Sequence, residues 1–407
     1  MKNKNYIGFL WHAIFLSLTT TFTEVNTVIP ALILSLGGSS FHVGVVSAIF
    51  IGLPVVTKLF FSSFLSSKNK KKPYLLLGIN LRVLALISIA VTLIYYKSFS
   101  FIVILLLLYF ELLVFSVGGA FASLPYVYLL GSLSKDLRIN FFTRRQMISS
   151  VGMLLSVIIA RYILSTWQYP TQYVILFSIS ATSLFIASMG FWQVKESSAN
   201  VSERVYLKDI LKNLPSLLKH DKNFALFLIY SNIMGAALAL TPFYIGYAKN
   251  NFTLDGKLLS SLLLIQISGM FVASFLYPKI INKKGFKGVL KFRIYIHFFL
   301  PLIAVYIANK GSLIAYLFVF FFIGVIISAR AVSEDAALIE LSNESNRVIY
   351  SALSGTLNIA IIVVPLILGS LISVFSYEII FIISSLFTLL AFPILSKITC
   401  PIDLETN

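Results

Sequence analysis

The sequence contains a single cysteine, Cys400, and few charged residues of either sign. One cysteine excludes a disulfide within the chain and a cysteine cluster for a metal. Asp, Glu, Lys and Arg together make up 12% of the 407 residues, whereas a soluble globular protein has about 25%. This shortage of charge in so apolar a chain also excludes a disordered protein, a collagen and a coiled coil.

Sequence motifs of enzymes and nucleotide-driven pumps are also absent. The chain has no phosphate-binding G-x-x-x-x-G-K-[ST] loop, no zinc-binding H-E-x-x-H and no nucleophile elbow G-x-S-x-G. These motifs are typical of phosphate binding, metal-dependent hydrolysis and acyl transfer, respectively. We therefore expect no enzyme activity, no cofactor and no metal.

Long apolar runs dominate what is present, since 58% of the residues are hydrophobic. A helix of about 20 apolar residues crosses the ~30 Å hydrocarbon layer of a membrane. The runs lack the alternation of barrel strands and are too long for them. The first is also longer than the apolar core of a signal peptide. We number the runs spans 1 to 12: residues 8–33, 43–65, 74–96, 99–122, 147–166, 173–192, 224–247, 258–277, 288–308, 312–332, 350–374 and 377–396.

The basic residues predict the orientation of the spans, and they explain the formal net charge of +17. Lysines and arginines collect in cytoplasmic loops. The connections on the side of both termini carry nearly all of them. The other side has five: Lys97, Arg161, Lys249, Lys257 and Lys310. We therefore predict a multi-pass protein of the cell (inner) membrane with cytoplasmic termini, and no nucleic-acid partner.

A polar connection, residues 193–223, divides the chain into two sets of six spans. Within it the segment VYLKDILKNLPSLLKHDK places leucines such as Leu207 and Leu211 on one helical face and Lys208 on another. Such a helix can lie on the anionic inner leaflet of a membrane. An equally good interpretation is a tether between the halves.

The two sets of six spans share local features at a spacing of roughly 210 residues. DLRINFFTRRQ after span 4 and ESNRVIYSALSG after span 10 each place an aromatic residue three positions after an arginine, Arg138 or Arg347. The basic loops KNKKKPYLLLG and NKKGFKGVLKF follow spans 2 and 8, and Pro30 in span 1 corresponds to Pro242 in span 7. Two parallel copies of six spans are typical of one large class of transporters.

With VNTVIPALILSLGGSSFHVGVVSAIF and the loop KKKPYLLLG, the chain resembles the major facilitator superfamily over nearly its whole length. The resemblance implies an all-α polytopic membrane protein of twelve transmembrane helices in two pseudo-symmetric six-helix bundles. The bundles would be residues 1–192 and 224–407. Spans 1, 4, 7 and 10 would line the cavity, and spans 2, 5, 8 and 11 would form the seam. Span 4 has Phe115 where proton-driven antiporters of the family often have arginine.

Ionisable and amide side chains within the spans are the candidate site, because buried polar groups in a membrane need a partner or a cavity. The resemblance implies that Glu24, Glu111 and Arg161 face the cavity, where Glu111 or Glu24 would take up a proton and Arg161 would answer it. The alternative is a fixed ion pair between helices. The amide candidates for the substrate and proton site are Asn26, Asn232, Gln266 and Asn358.

Charged residues near the predicted cytoplasmic ends form a second set of candidates, for a gate. Lys58, Arg82 and Arg330 are expected to extend to the headgroups, and Arg330 is expected to pair with Glu334 one turn on. The remaining loop and gate candidates are Lys72, Pro73, Gly78, Arg138, Arg145 and Arg347.

These features predict a secondary active transporter that moves a small solute by alternating access, with proton coupling. Two alternatives are a membrane receptor that keeps the fold and a lipid flippase. The short stretch after span 12 favours transport over a receptor. The expected partners are a small molecule, protons and the lipid bilayer, and we expect a monomer.

Overall fold

The computed structural model describes residues 2–66, 68–131, 135–196, 207–341, 350, 353–355 and 357–399. In the first half, span 1 comprises two helices, Lys2–Phe22 and Val28–Ser35. Span 2 comprises Ser40–Ser47 and Leu53–Ser66, joined by a π-helical turn, Ala48–Gly52. Spans 3 to 6 are Lys72–Ile94, Phe101–Gly131, Lys135–Thr166 and Thr171–Trp192, and a 3₁₀ turn, Tyr96–Ser98, follows span 3.

The second half begins with the helix Leu207–His220. Span 7 comprises Lys222–Leu238 and Phe243–Asn251. Spans 8 and 9 together form Gly256–Asn309, which bends at Gly285, and span 10 is Leu313–Leu341. Span 11 is helical at 353–355 and again over Ala360–Val374, and span 12 is Tyr377–Thr388 followed by Ala391–Lys397.

Eleven helices in the described part of the chain are long and apolar enough to cross a membrane, and they coincide with spans 2 to 12. Span 1, which consists of the helices Lys2–Phe22 and Val28–Ser35, is not among the eleven. Many large apolar side chains are exposed, among them Ile314 and Val374 at 74% each. A soluble protein does not expose such continuous apolar surface, whereas hydrocarbon solvates it.

Proline explains the π-helical turn of span 2. Pro54 has no N–H, so the helical hydrogen bond to the carbonyl of Phe50 is lost. The hydroxyl of Ser116 in span 4 donates to the carbonyl of Ile49 (2.8 Å) beside this gap. A side chain of a neighbouring span therefore satisfies the backbone that proline disrupts, as a membrane requires.

The two halves repeat one anchoring contact. The side chain of Asn5 at the start of span 1 donates to the carbonyl of Lys195 and accepts from its N–H, both at 3.0 Å. At the start of span 7, Asn223 accepts from the N–H of Thr399 (3.1 Å) and donates to its hydroxyl. In each half an asparagine thus links the beginning of the first span to the residues that follow the last span. This repeated contact is what an internal duplication would produce.

The described helix Leu207–His220 is part of the predicted polar connection. Three of its leucines, Leu214, Leu217 and Leu218, pack against a buried cluster that includes Phe224 and Tyr350. This part of its apolar face is therefore covered by the protein. Asp221 then caps span 7 by accepting from the N–H of Phe224 (2.9 Å).

The chain divides into two compact units whose limits do not follow the sequence halves everywhere. One unit contains Met1–Leu36, Ile49–Leu207 and Asp255–Ser260. The other contains Gly37–Ala48, Lys208–Leu254 and Ser261–Asn407. The beginning of span 2 therefore packs with the second-half helices, and the beginning of span 8 packs with the first-half helices.

Candidate functional site

Glu24 lies in the break between the two helices of span 1. Its carboxylate is buried and accepts from the N–H and the side-chain amide of Asn26 (2.7 and 2.8 Å) and from the hydroxyl of Thr27 (2.8 Å). Pro30, in the first turn of the following helix, needs no hydrogen-bond acceptor. The predicted candidates Glu24 and Asn26 are thus brought together, and Glu24 organises the turn at this break.

Glu111 points from span 4 to span 3. Its Oε1 accepts from the hydroxyls of Ser88 (2.6 Å) and Thr92 (2.7 Å), and the residue is 4% exposed. Its buried Oε2 has no hydrogen-bond partner among the described residues. Arg161, the predicted partner, is exposed on span 5. The expected Glu111–Arg161 pair is therefore not formed, because hydroxyls of the neighbouring span hold the carboxylate instead.

Arg82 does not extend to the headgroups as expected, because its guanidinium lies 4.3 Å above the ring of Phe115. It also packs beside Gly118 and Gly119 of span 4, where a side chain would crowd it. Its buried Nε has no hydrogen-bond partner among the described residues. Span 3 therefore places an arginine beside the glycines of span 4, next to a phenylalanine that stands where a family arginine was expected.

A second break interrupts span 11 at residues 357–359, and Asn232 of span 7 connects its two ends. The amide nitrogen of Asn232 donates to the carbonyl of Leu357 (2.8 Å), and its oxygen accepts from the N–H of Ala360 (3.3 Å). Asn358 within the break donates to the carbonyl of Ser231 (3.1 Å). Spans 7 and 11 thus share a continuous polar seam that contains two of the predicted amides.

Two buried amides still have hydrogen-bonding capacity. The Oδ1 of Asn358 is buried without a partner in the described structure, and a Cβ on Gly235 would occupy the space beside it. Gln266 of span 8 is fully buried, and neither its oxygen nor its nitrogen has a partner there. Because an unpaired buried polar atom costs about 1–3 kcal/mol, these atoms are candidate contacts for a ligand.

An ion-pair cluster links spans 9 and 10. Glu334 pairs with Arg330 one turn before it (3.3 Å), as the sequence predicts. The carboxylate also lies 3.5 Å from the guanidinium of Arg293, which is 1% exposed and donates to Ser333 (3.1 Å). Sequence reasoning missed Arg293 as a member of this group. The available signal was a lone arginine inside an apolar span, which requires a partner.

The loop between spans 2 and 3 is closed by a carboxylate from the end of span 6. Glu196 accepts from the backbone N–H groups of Lys71 (2.7 Å) and Lys72 (3.0 Å), and so caps span 3. In return, the ammonium of Lys72 donates to the last carbonyls of span 6, those of Trp192 (2.7 Å) and Val194 (2.8 Å). An anion at a helix N-terminus and a cation at a helix C-terminus are each favourable.

The other predicted gate residues are dispersed. Pro73 follows Lys72 in the first turn of span 3, and Gly78 allows span 3 to touch Gly118 of span 4. Lys58 is exposed on span 2, and the guanidinium of Arg145 lies 5.6 Å from the ring of Tyr126. Arg138 belongs to the helix of span 5, whereas Arg347 lies outside the described residues.

Beside Arg347 in sequence, Tyr350 is ordered by span 7. Its ring stacks on Phe224 (centroids 3.9 Å apart), and its hydroxyl donates to Asp221 (2.5 Å). These two contacts anchor the beginning of span 11 to span 7.

The beginning of span 2 makes a glycine-mediated contact with span 11, which we call the 2–11 contact. Gly44 meets the carbonyl of Pro365, and Gly369 meets the carbonyl of Ser40, with no room for a Cβ at either position. The hydroxyl of Ser40 bonds that of Tyr377 (2.7 Å). Glycine permits such close backbone approach between helices in a membrane.

No group of three or more His, Cys, Asp or Glu side chains that would suit a metal ion occurs among the described residues.

A model of the Major Facilitator Superfamily matches residues 10–333, so the chain belongs to this family of transporters. A comparison with curated proteins gives no match. Three similar solved structures are a mutant of the nucleoside transporter NupG, a POT family transporter in complex with a thioalcohol-conjugated peptide, and an inward-facing bacterial homologue of the iron transporter ferroportin.

These structures share the fold at low sequence identity. The NupG mutant has a TM-score of 0.69 and 12% identity, with 97% of this chain and 99% of the other covered. The POT family transporter has a TM-score of 0.71 and 12% identity, with 98% of this chain and 96% of the other covered. The ferroportin homologue has a TM-score of 0.69 and 14% identity, with 97% of this chain and 98% of the other covered. The chain is thus an all-α, polytopic membrane protein with the fold of this superfamily, as the sequence predicts.

Proposed function

We propose that the protein is a secondary active transporter that moves a small polar solute by alternating access. The observation that carries the proposal is the 2–11 contact, through which the beginning of span 2 belongs to the compact unit of the second half. In the proposed topology this contact lies on the side opposite the termini. A solute entering from that side requires the contact to open.

The proposed moving bodies are the two bundles, residues 1–192 and 224–407, with residues 193–223 as the connection. In the break of span 11, the unpaired Oδ1 of Asn358 can accept a hydrogen bond from a solute. In span 8, the side-chain oxygen and nitrogen of Gln266 can accept and donate one, respectively. Asn232 holds the break open, and Glu24 with Asn26 forms the corresponding turn in span 1. Hydrogen-bond donors and acceptors on the solute would satisfy the free amide atoms, which favours a polar substrate.

Transport in proteoliposomes tests this function. Reconstituted protein is screened against nucleosides, peptides, amino acids, sugars and metal ions, with and without a pH gradient. We expect one polar class to exchange faster than in empty liposomes, and to accumulate when a proton gradient is imposed. Exclusive movement of fluorescent phospholipids between leaflets would contradict the proposal and favour a flippase.

The first prediction concerns the proposed topology in the cell membrane, which has both termini in the cytoplasm. Reporter fusions after Lys72, Arg145 and Lys284 are expected to report the cytoplasm, because the positively charged loops stay on that side. Fusions near Lys97 and Lys249 are expected to report the outside. Opposite results at two or more of these positions would contradict the orientation.

The second prediction assigns proton coupling to Glu111. Glu111→Gln is expected to abolish gradient-driven accumulation of the solute while passive exchange continues. Glutamine still offers an oxygen to the hydroxyls of Ser88 and Thr92 but cannot carry a transferable proton. The measurement is solute uptake at an imposed pH gradient, compared with counterflow without one.

A matched variant separates the proton role from a structural one. Glu24→Gln replaces the other buried span acid, whose carboxylate accepts three hydrogen bonds within its own turn. The Glu24→Gln substitution is expected to lower thermal stability. The amide of glutamine has an N–H₂ donor, and this donor would face the donors of Asn26 and Thr27. A Glu111→Gln protein that folds normally and still accumulates solute against a gradient would refute the assignment.

A further inference from the structure

The bend between spans 8 and 9 contains a cavity of about 690 Å³. Its wall combines lysines with apolar and aromatic side chains, and no acidic residue is among the described residues that line it. The lining residues include Lys279, Lys283, Lys284, Lys291, Phe292 and Tyr295. Four ammonium groups around one cavity repel one another unless an anion lies between them, and in the described structure none of the four has an acidic partner.

Gly285 creates this geometry. Its φ of 60° lies in the left-handed region, so the helix of span 8 turns sharply into that of span 9. The candidate membrane helices end at Ile281 and begin again at Lys283. The lysines around the turn therefore lie where the hydrocarbon ends and the headgroups begin. Lys291 lies six residues beyond Gly285 on span 9, about 9 Å along its axis, and also lines the cavity.

The corresponding bend of the first half places an anionic group beside its lysines. There the carboxylate of Glu196 accepts from the backbone of Lys71 and Lys72. The repeated asparagine anchors make Lys195 and Thr399 equivalent. The position that corresponds to Glu196 is then Cys400, which is not an acid. The second half therefore keeps the lysines of the bend, and its sequence has no acid at the position of the carboxylate that caps span 3 in the first half.

We propose that the cavity between spans 8 and 9 binds the phosphate headgroup of an anionic phospholipid from the cytoplasmic leaflet. The phosphate takes the place of the missing carboxylate among the four lysines. The acyl chains then follow the apolar surface that continues from the cavity, where Phe275, Leu276 and Phe299 are all exposed. This continuity with the lipid-facing surface favours a lipid over a soluble phosphate. The proposal adds a site to the transporter and uses the cytoplasmic orientation proposed above.

Basic pockets between membrane helices on the cytoplasmic side are suited to anionic headgroups. Full-length protein is examined by native mass spectrometry with phosphatidylglycerol, phosphatidylcholine or glycerol 3-phosphate. We expect phosphatidylglycerol to bind about tenfold more tightly than phosphatidylcholine, because only its headgroup carries a net negative charge for the lysines to attract. The double variant Lys283→Gln/Lys284→Gln is expected to lose this preference, and Lys283→Arg/Lys284→Arg to keep it.

The matched control is Lys68→Gln/Lys70→Gln in the bend of the first half, which is expected to leave the preference unchanged. Thermal melting in phosphatidylcholine alone checks that each variant is folded. The proposal is overturned if the Gln double variant binds phosphatidylglycerol like the wild type. Equal binding of glycerol 3-phosphate would also overturn it, because the site would then recognise a free anion. Equal loss in the control variant would indicate general surface charge and would overturn it as well.

Discussion

Replacing Gly44 with alanine is expected to abolish solute exchange while the protein remains folded in the membrane. A Cβ at this position would overlap the backbone carbonyl of Pro365, and a backbone atom cannot move aside as a flexible side chain can. The variant therefore cannot close the 2–11 contact. Ser40, which is 8% exposed in the closed contact, should become accessible.

Alkylation of a cysteine at position 40 measures this opening. The Ser40→Cys substitution is made in a Cys400→Ser background, which removes the only native cysteine. Gly44→Ala should increase the alkylation rate by a reagent added on the outside. The matched control is Gly355→Ala, because a Cβ there has nothing within 4 Å. Unchanged labelling together with unchanged transport in Gly44→Ala would show that the contact does not govern access.

The second large effect is expected from Asn232→Leu, which should destabilise the protein by about 2–6 kcal/mol. The substitution leaves the carbonyl of Leu357 and the N–H of Ala360 without the partners that Asn232 provides at the break. Each buried backbone group left unpaired costs about 1–3 kcal/mol. Water cannot replace the lost partner within the hydrocarbon region.

Thermal unfolding in detergent measures this destabilisation. Asn80→Leu is the matched control, because Asn80 is exposed on span 3 and the same substitution there removes no described hydrogen bond. We expect the melting temperature to fall for Asn232→Leu and to stay within experimental scatter for Asn80→Leu. A melting temperature for Asn232→Leu equal to that of the wild type would contradict the role of this amide in holding span 11.

The sequence was sufficient to predict the fold, because apolar runs of about 20 residues determine it almost alone. Spans 2 to 12 each contain a helix able to cross a membrane. Pro30 and Pro242 also lie at the breaks of spans 1 and 7. The break in span 11 was not predictable in this way, because its proline, Pro365, lies beyond it and the break depends on an asparagine from span 7.

The sequence predicted which residues form the candidate site more successfully than it predicted which residues they contact. Glu111 was identified as a buried acid, but its partners, Ser88 and Thr92, come from span 3 and have no distinctive pattern. Arg82 was expected at the headgroups, yet it lies on Phe115. Such pairings depend on how each helix is rotated about its axis. A run that is apolar on all faces does not specify this rotation, because any of its faces can contact lipid.

Distance measurement between the beginning of span 2 and the end of span 11 tests alternating access most directly and needs no knowledge of the substrate. Spin labels are placed at Phe41 and Phe375, both of which are exposed, in the Cys400→Ser background. We predict two distance populations in lipid nanodiscs, a short one from the closed 2–11 contact and a longer one from its open state. In the Gly44→Ala variant we expect only the longer distance population to remain. A single short distance in both proteins would contradict the proposed mechanism.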